Sequence, residues 1–403
     1  MSTVVSSRAA AAASCRRIAL APTLTAVAID TSFADSSATG FPSSAIIDLS
    51  AVTFAEPTAL VYLAACLKML YDRGVEVAIE LPESKAVRNL MRRYRFGAAL
   101  HALSDQQALD WLTEQSAAYR GERPAHYQPR LLRSVDGGIE EQASDRLASI
   151  KVVHRPTEEN AVSAADWWHE PEIKALLETH LGAKANLIAP GIILEALMNA
   201  VRHPKATAIV TAGFLNTRAS RRHPNGLLTI AVWDDGESIA STLGAALEER
   251  RPLRYEDFSL YYAWYGLYLA HSHAERKRWS HKLFSGATVS ANAGEPDLLV
   301  AATFPGITSD PGGGQSASAL GQYGPKYDRP GMGLYILTSL AVDSFGGEVL
   351  IRSGGAYANI TRAPRSLQEK AGCHYRVGLV AAPEMGEYFT GNYIVARLPL
   401  IAS

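Results

Sequence analysis

The stretch GIILEALMNAVRHPKA, residues 191–206, combines an apolar helical pattern with polar residues spaced four apart. Glu195, Asn199 and His203 recur at this interval, so a helix of 3.6 residues per turn places all three near one face. The stretch therefore predicts a helix that carries an acid, an amide and an imidazole in one line. Such a line is also typical of the solvated face of an amphipathic helix, and that alternative stays open for the stretch taken alone.

Two glycine turns follow this helix in the sequence and add to its chemistry. In VWDDGESI, Asp234 ends an apolar strand pattern and Gly236 lies in the turn after it. An Asp in this position can accept a hydrogen bond from an exocyclic amine. In RPGMGLYIL, Gly331 and Gly333 come directly before a helical pattern, where backbone N–H groups can approach phosphate oxygens. Each turn is common by itself, and the ordered set is the stronger signal.

The set ExxxN on a helix, DxG after a strand and GxGL before a helix resembles the GHKL superfamily of ATP-binding domains, over residues 161–403. The resemblance implies a C-terminal α/β sandwich that holds ATP and Mg²⁺ under a mobile lid. It implies that Glu195 is the catalytic acid that activates water or a hydroxyl, and that Asn199 is the Mg²⁺ ligand. His203 can equally be a cap at the helix end. The resemblance assigns nucleotide-binding roles to the following residues: Asn199, His203, Asp234, Gly236, Gly331, Gly333 and Leu334.

Three positions depart from the family pattern. Ser238 replaces the second glycine of the DxGxG turn, and Arg329-Pro330 replaces a glycine before the end of the lid. Asn392 stands where relatives often carry threonine before the last strand. We expect nucleotide binding to survive these changes, which bear on the hydrolysis rate and on the nucleotide preference.

The N-terminal part of the chain alternates strand and helix patterns. Strands are predicted over 44–50 and 75–82, and helices over 57–74 and 84–100. Pro57 early in the first of these helices and Gly74 after its end are typical punctuation. The alternation predicts a sheet with covering helices.

The sequence IIDLSAVTFAEPTALVYLAACLKML resembles the STAS domain of anti-sigma-factor antagonists, over residues 20–115. The resemblance places the phosphorylatable serine of that family at Thr58. The alternative is that Thr58 is an ordinary residue in the first turn of a helix.

The remaining segments are expected to be a tail, a linker and an insertion. Residues 1–19 are of low complexity, and residues 116–160 are polar with little periodicity. The insertion, 240–330, contains FSLYYAWYGLYLAHSHAERKRWSHKLF (258–284), which predicts an aromatic helix passing into a basic one. This helix could form a partner or dimer surface, or simply pack its aromatic residues on the core. The glycine-rich segment 311–325 is expected to be a lid that orders over ATP.

Composition restricts the class of protein. Hydrophobic residues make up 47% and charged residues 20% of 403 residues, and the net charge is -1. This balance gives no clear signal for nucleic acid or an anionic membrane. No apolar run reaches the roughly 18 residues that a membrane span needs. Three scattered cysteines favour a reducing, cytoplasmic environment.

The sequence therefore predicts a cytoplasmic α/β protein with a STAS-like module followed by a GHKL-type domain with a long lid insertion. The expected activity is slow ATP hydrolysis whose nucleotide state controls lid and dimer rearrangement and partner binding. Two alternatives remain: a Ser/Thr kinase of the anti-sigma-factor type that acts on a STAS domain, and a scaffold that binds ATP without turnover. The expected partners are ATP and a protein or second copy bound through the STAS-like domain or the 258–284 insert.

Overall fold

The computed structural model of the chain divides into two compact units. Unit 1 comprises residues 1–152 and 383–389, and unit 2 comprises residues 153–382 and 390–403. The residues that the structure describes are 15–37, 42–103, 147, 149–202, 206–249, 267–270, 276–278, 284–285, 288–289, 293–304, 307, 331–366, 375–381, 389 and 391–401.

Unit 1 is built on a three-stranded parallel sheet with the strand order β1–β3–β5, and β2 and β4 form a separate parallel pair. Residues 15–19, at the end of the expected low-complexity tail 1–19, form strand β1. This strand pairs in register with Ser44–Asp48. The elements in chain order are β1 (Cys15–Ala19), β2 (Thr23–Leu24), α1 (Ala26–Ser37), β3 (Ser44–Asp48), β4 (Phe54–Ala55), α2 (Pro57–Asp72), β5 (Glu76–Glu80), α3 (Lys85–Arg93) and α4 (Phe96–Leu103).

Helix α2 forms the buried centre of unit 1. Its residues from Thr58 to Leu70 are all buried, as the long apolar run predicts. Within this core the Tyr62 hydroxyl donates a hydrogen bond to Asp30 Oδ1 at 2.5 Å. The Tyr62 ring also stacks on Phe389 with 4.8 Å between the ring centroids. The predicted helix and its two flanking strands are confirmed with slightly shorter bounds.

The predicted helix over 84–100 is wrong in one respect, because two helices replace it. Arg95 has a φ of 52°, in the left-handed region that ends a helix. Tyr94 and Phe96, on either side of this break, are both buried. The separate helices α3 and α4 thus allow both aromatic rings to enter the core.

Unit 2 contains a nine-stranded mixed sheet with the strand order β10–β9–β15–β14–β13–β16–β8–β7–β6. The pair β15–β9 is parallel, whereas the run from β15 through β14, β13, β16 and β8 to β7 is antiparallel. The chain is therefore mixed α/β, with parallel and antiparallel sheets. The strands are β6 (Lys151–His154), β7 (Ala208–Asn216), β8 (Leu227–Asp234), β9 (Leu267–Ala270), β10 (Arg276–Arg278), β13 (Glu348–Ser353), β14 (Ala356–Arg362), β15 (Tyr375–Ala381) and β16 (Asn392–Pro399).

Helices and short turns of helix accompany this sheet. Two short strands, β11 (Phe284–Ser285) and β12 (Thr288–Val289), pair only with each other. The helices are α5 (Glu158–Asp166), α6 (Pro171–Leu181), α7 (Leu194–Arg202), α8 (Ile239–Glu248), α9 (Glu295–Ala301) and α10 (Gly333–Ser339). Within the described ranges, 3-10 turns at Trp167–His169 and Gly182–Leu187 and π-helical turns at Ile188–Ile193 and Leu340–Ser344 adjoin them.

The sequences ATAIVTAGFLN (206–216) and GLLTIAVWDD (226–235) favour strands, and Asn225-Gly226 between them is a hairpin signal; β7 and β8 form that antiparallel hairpin. Gly226 has a φ of 99°, and a Cβ there would lie 2.3 Å from the Asn216 carbonyl oxygen. The turn therefore requires glycine.

The predicted helix over 258–284 is wrong wherever the structure describes that segment. Strands β9 and β10 and the start of β11 replace it. Leu267 to Leu269 extend the sheet beside β15, so the backbone hydrogen bonds of this run go to a neighbouring strand. A short apolar run has no periodicity that separates a strand from a buried helix, which explains the error.

Among the described residues, no single helix is long and apolar enough to cross a membrane. One bent pair, Pro171–Leu187 with Gly191–Arg202, passes the same test by length and composition only. Cys15 and Cys66 are both free thiols.

Candidate functional site

Helix α7 places Glu195 and Asn199 one turn apart against the first residue of helix α10. A Cβ built on Gly333 would lie 3.0 Å from Glu195 Oε2 and 3.2 Å from both Asn199 Oδ1 and Asn199 Nδ2. A larger residue at this position would force both polar side chains to move. The structure thus brings together three of the residues that the sequence predicts for one site.

Of the two polar side chains of this contact, Glu195 is buried and Asn199 is half-buried. Glu195 is only 1% exposed. Asn199 Nδ2 is buried and has no hydrogen-bond partner among the described residues. A buried amide without a partner is costly, and such groups often occur at functional sites.

The donor set fits Mg²⁺ better than a metal that needs a full cage of protein ligands. Among the described residues, no group of three or more His, Cys, Asp or Glu could hold a metal ion. Mg²⁺ is commonly held by one or two protein oxygens, with water and substrate phosphates as its other ligands. The Asn199 amide oxygen, which lies beside Gly333, is a protein ligand of this kind.

The two helices of this contact adjoin π-helical turns that the sequence did not indicate. The turn Ile188–Ile193 leads into α7, and the turn Leu340–Ser344 follows α10. π-Helical turns are rare and are frequently found at functional sites. Their position strengthens the assignment of the α7–α10 contact as a site.

A second group of residues surrounds Asp234, which ends β8 and is 4% exposed. The Gly236 N–H donates a hydrogen bond to Asp234 Oδ1 at 3.0 Å. Asn392 Nδ2 donates to Asp234 Oδ1 at 3.1 Å and to Oδ2 at 3.2 Å, because the two residues are register partners on β8 and β16. Asn392, a departure from the family pattern, is therefore a direct partner of the predicted adenine-binding acid.

Asn392 is in turn fixed by groups that the sequence reasoning missed. Its Oδ1 accepts hydrogen bonds from the Ile239 N–H at 2.9 Å and from Ser353 Oγ at 2.6 Å. Its Nδ2 also donates to the Glu237 carbonyl oxygen at 3.0 Å. Ser353 faces Asn392 across β13 and β16, and only the register of those strands shows this pairing.

Burial changes the ionisation of Asp234. Loss of solvation raises the pKa of Asp234 from 3.8 to about 7, because the charged form is disfavoured away from water. Hydrogen bonds from Gly236 and Asn392 lower the pKa but do not offset the burial, and the charge of Asp235 raises it further. Perturbed acids of this kind cluster at functional sites.

Glycine and serine around Asp234 have definite structural roles. Gly391 has a φ of 81°, and a Cβ there would lie 1.7 Å from the Asp234 carbonyl oxygen. A Cβ on Gly236 would lie 3.0 Å from Asp234 Oδ1. Ser238, another departure from the family pattern, caps helix α8 by accepting a hydrogen bond from the Ser241 N–H at 3.0 Å.

Asp235 connects this turn to the segment that follows helix α7. Its Oδ1 accepts hydrogen bonds from the Thr207 N–H at 2.6 Å and from the Ala208 N–H at 2.9 Å, and its Oδ2 accepts one from the Thr207 hydroxyl. A Cβ on Gly236 would lie 3.3 Å from Ala206 Cβ. The chain leaving α7 is therefore held against the turn after Asp234.

Of the other residues singled out in the sequence, some lie within the described residues and some outside them. Gly331 has a φ of 78°, which favours glycine, and Leu334 is buried in the first turn of α10. Thr58 in unit 1 is 6% exposed, so its hydroxyl has little access to a phosphate donor. His203, Arg329-Pro330 and the expected lid over 311–325 lie outside the described residues.

Comparisons of the chain with protein-family models, curated proteins and solved structures found no match. A buried acid and amide against a glycine suit phosphate and Mg²⁺ chemistry. A buried carboxylate at a strand end suits an amine donor.

Proposed function

We propose that unit 2 is a GHKL-type domain that binds Mg-ATP, and that the protein is a slow ATPase whose nucleotide state controls partner binding. The observation that carries the proposal is the close contact of Gly333 with Glu195 and Asn199, which joins two predicted motifs that are far apart in sequence. The buried carboxylate of Asp234 gives further support. Unit 1, with parallel strands and the central helix α2, is proposed to be a STAS-like regulatory module.

Each side chain has a separate role in this proposal. Asp234 accepts a hydrogen bond from the amine of the base. Asn199 offers its amide oxygen as a ligand, and bound Mg²⁺ would neutralise negative charge on the phosphates. Glu195 accepts a proton from the attacking water as a general base. Gly333, which has no Cβ, allows α10 to lie directly against these two side chains.

One experiment on the full chain separates these roles. Thermal stabilisation by Mg-ATP and release of free phosphate are measured for the wild type and for three variants. A ligand that binds only the folded state raises its stability by mass action. Asp234→Ala and Asn199→Ala should therefore lose the stabilisation by Mg-ATP. Glu195→Gln should keep it and slow phosphate release about 10²–10⁴-fold, the usual effect of losing a general base.

Glu172→Gln is the matched control for Glu195→Gln, since Glu172 is exposed on α6. It should behave like the wild type in both measurements. Unchanged stabilisation of Asp234→Ala by Mg-ATP would remove the proposed base contact. Wild-type binding without phosphate release would favour the scaffold alternative. Transfer of labelled phosphate to protein would favour the kinase alternative.

A further inference from the structure

We propose that Asn392 is a specificity-determining residue, which makes Asp234 accept a base with a single amine donor and discriminate against guanine. This inference rests on the proposed nucleotide-binding function and deepens it. It concerns the residue that departs from the expected threonine.

The amide of Asn392 has no remaining hydrogen-bonding capacity on its donor side. Its two N–H hydrogens serve three acceptors: both carboxylate oxygens of Asp234 and the carbonyl oxygen of Glu237. Its oxygen accepts from Ile239 and Ser353, which fixes the orientation of the amide with the NH₂ group toward Asp234. Asn392 is 2% exposed, so it is not free to turn toward a ligand.

The carboxylate of Asp234 is consequently occupied unevenly. Oδ1 accepts from both the Gly236 N–H and the Asn392 amide, whereas Oδ2 accepts only from the Asn392 amide among the described residues. Each carboxylate oxygen has about two acceptor positions. Oδ2 therefore retains one position for a ligand, and Oδ1 retains none.

The two purine bases differ in the number of adjacent donors that they offer. Adenine offers its exocyclic amine, which one carboxylate oxygen can satisfy. Guanine offers a ring N–H and an amine side by side, and pairing both requires two available carboxylate oxygens. In the present arrangement one guanine donor would be buried without a partner, which is costly. Asn392 thus favours ATP over GTP by occupying Asp234 Oδ1.

The test compares ATP and GTP binding by the full-length wild type, Asn392→Ala and Asn359→Ala at pH 9, because the pKa of Asp234 is about 7 and loss of the Asn392 hydrogen bond raises it further. In Asn392→Ala the Ile239 N–H keeps Ser353 Oγ as a partner at 2.8 Å, so no donor of α8 is left unpaired. Both oxygens of Asp234 then become available to a ligand. The ratio of the GTP and ATP dissociation constants should fall about 10- to 100-fold, the effect of one hydrogen bond to a charged group.

Asn359→Ala is the matched control, because this asparagine lies on β14 of the same sheet, whereas the described hydrogen bonds to the Asp234 carboxylate come from Gly236 and Asn392. Its ratio of the GTP and ATP dissociation constants should equal that of the wild type. Asn392→Thr keeps one hydroxyl donor toward the carboxylate and should give an intermediate ratio of the GTP and ATP dissociation constants. This variant replaces Asn392→Ala in the test if the alanine variant does not fold. An unchanged ratio in a variant that still binds ATP would overturn the role of Asn392 and leave the proposed function standing. A wild type that binds neither nucleotide would overturn both.

Discussion

The ionisation of Asp234 predicts that unit 2 becomes less stable as the pH rises from 4 to 7. Its pKa is 3.8 in an exposed chain and about 7 in the folded protein, since burial favours the neutral form. Between these two values the folded state binds more protons than the unfolded state. The free energy of unfolding therefore falls with increasing pH in this range, and both states are protonated below it.

The magnitude follows from the two pKa values. One pKa unit corresponds to about 1.4 kcal/mol. The full cost of ionising Asp234 in the folded protein is therefore about 4 kcal/mol. The free energy of unfolding should therefore fall by about 3 kcal/mol between pH 5 and pH 8. Asp234→Asn cannot ionise, so this part of the pH dependence should disappear.

The assay is urea unfolding of the full chain at several pH values. Hydrogen exchange of the β8 peptide is the readout, because it measures the unfolding of unit 2. The difference between pH 5 and pH 8 is compared for wild type and Asp234→Asn, which cancels the static cost of placing two amides next to each other. Asn392→Ala is a second comparison: the Asn392 hydrogen bond lowers the pKa, so its removal should enlarge the loss. The same pH dependence in wild type and Asp234→Asn would refute the reasoning.

Two further predictions concern packing near the site. Gly391→Ala places a Cβ 1.7 Å from the Asp234 carbonyl oxygen, whereas Gly346→Ala, at a φ of 68°, has nothing within 4 Å of its new Cβ. The first should therefore cost more than 3 kcal/mol of unfolding free energy and the second about 1–2 kcal/mol, and equal losses in urea would contradict the close approach. Thr211 is buried and its hydroxyl has no partner among the described residues. Thr211→Val should match or exceed the wild-type melting temperature, and a large loss would reveal a missed hydrogen bond.

Local sequence signals predicted the parts of the fold that short-range chemistry determines. Pro57 and the apolar run after it predict α2, and Asn225-Gly226 predicts the hairpin between β7 and β8. The glycine pattern before α10 predicts an approach to phosphate, and this stays a prediction, whereas the observed contact of Gly333 with Glu195 is not contained in that pattern. These signals concern the backbone conformation of a few neighbouring residues.

The remaining features depend on contacts that no local pattern contains. The strand at Leu267–Ala270 exists because β15 lies beside it, and an apolar run of that length is equally compatible with a helix. The pairing of Ser353 with Asn392 depends on the register of β13 and β16. The sequence marked Asn392 only as a departure, since its hydrogen bonds to Asp234 arise from strand pairing.

Two neighbouring acids in one turn explain how the separate parts of the site keep their positions. Asp234 is tied to β16 through Asn392, and Asp235 is tied through Thr207 to the chain that leaves α7. Gly236 packs against Ala206 with no space for a side chain, so the turn has little room to shift between these anchors. The turn that begins at the predicted base-binding acid is therefore linked by hydrogen bonds both to β16 and to residues 207–208, which follow α7 in the sequence. In the proposed function, this link sets the span that a nucleotide must match, with its base at one acid and its phosphates beside the Asn199 amide.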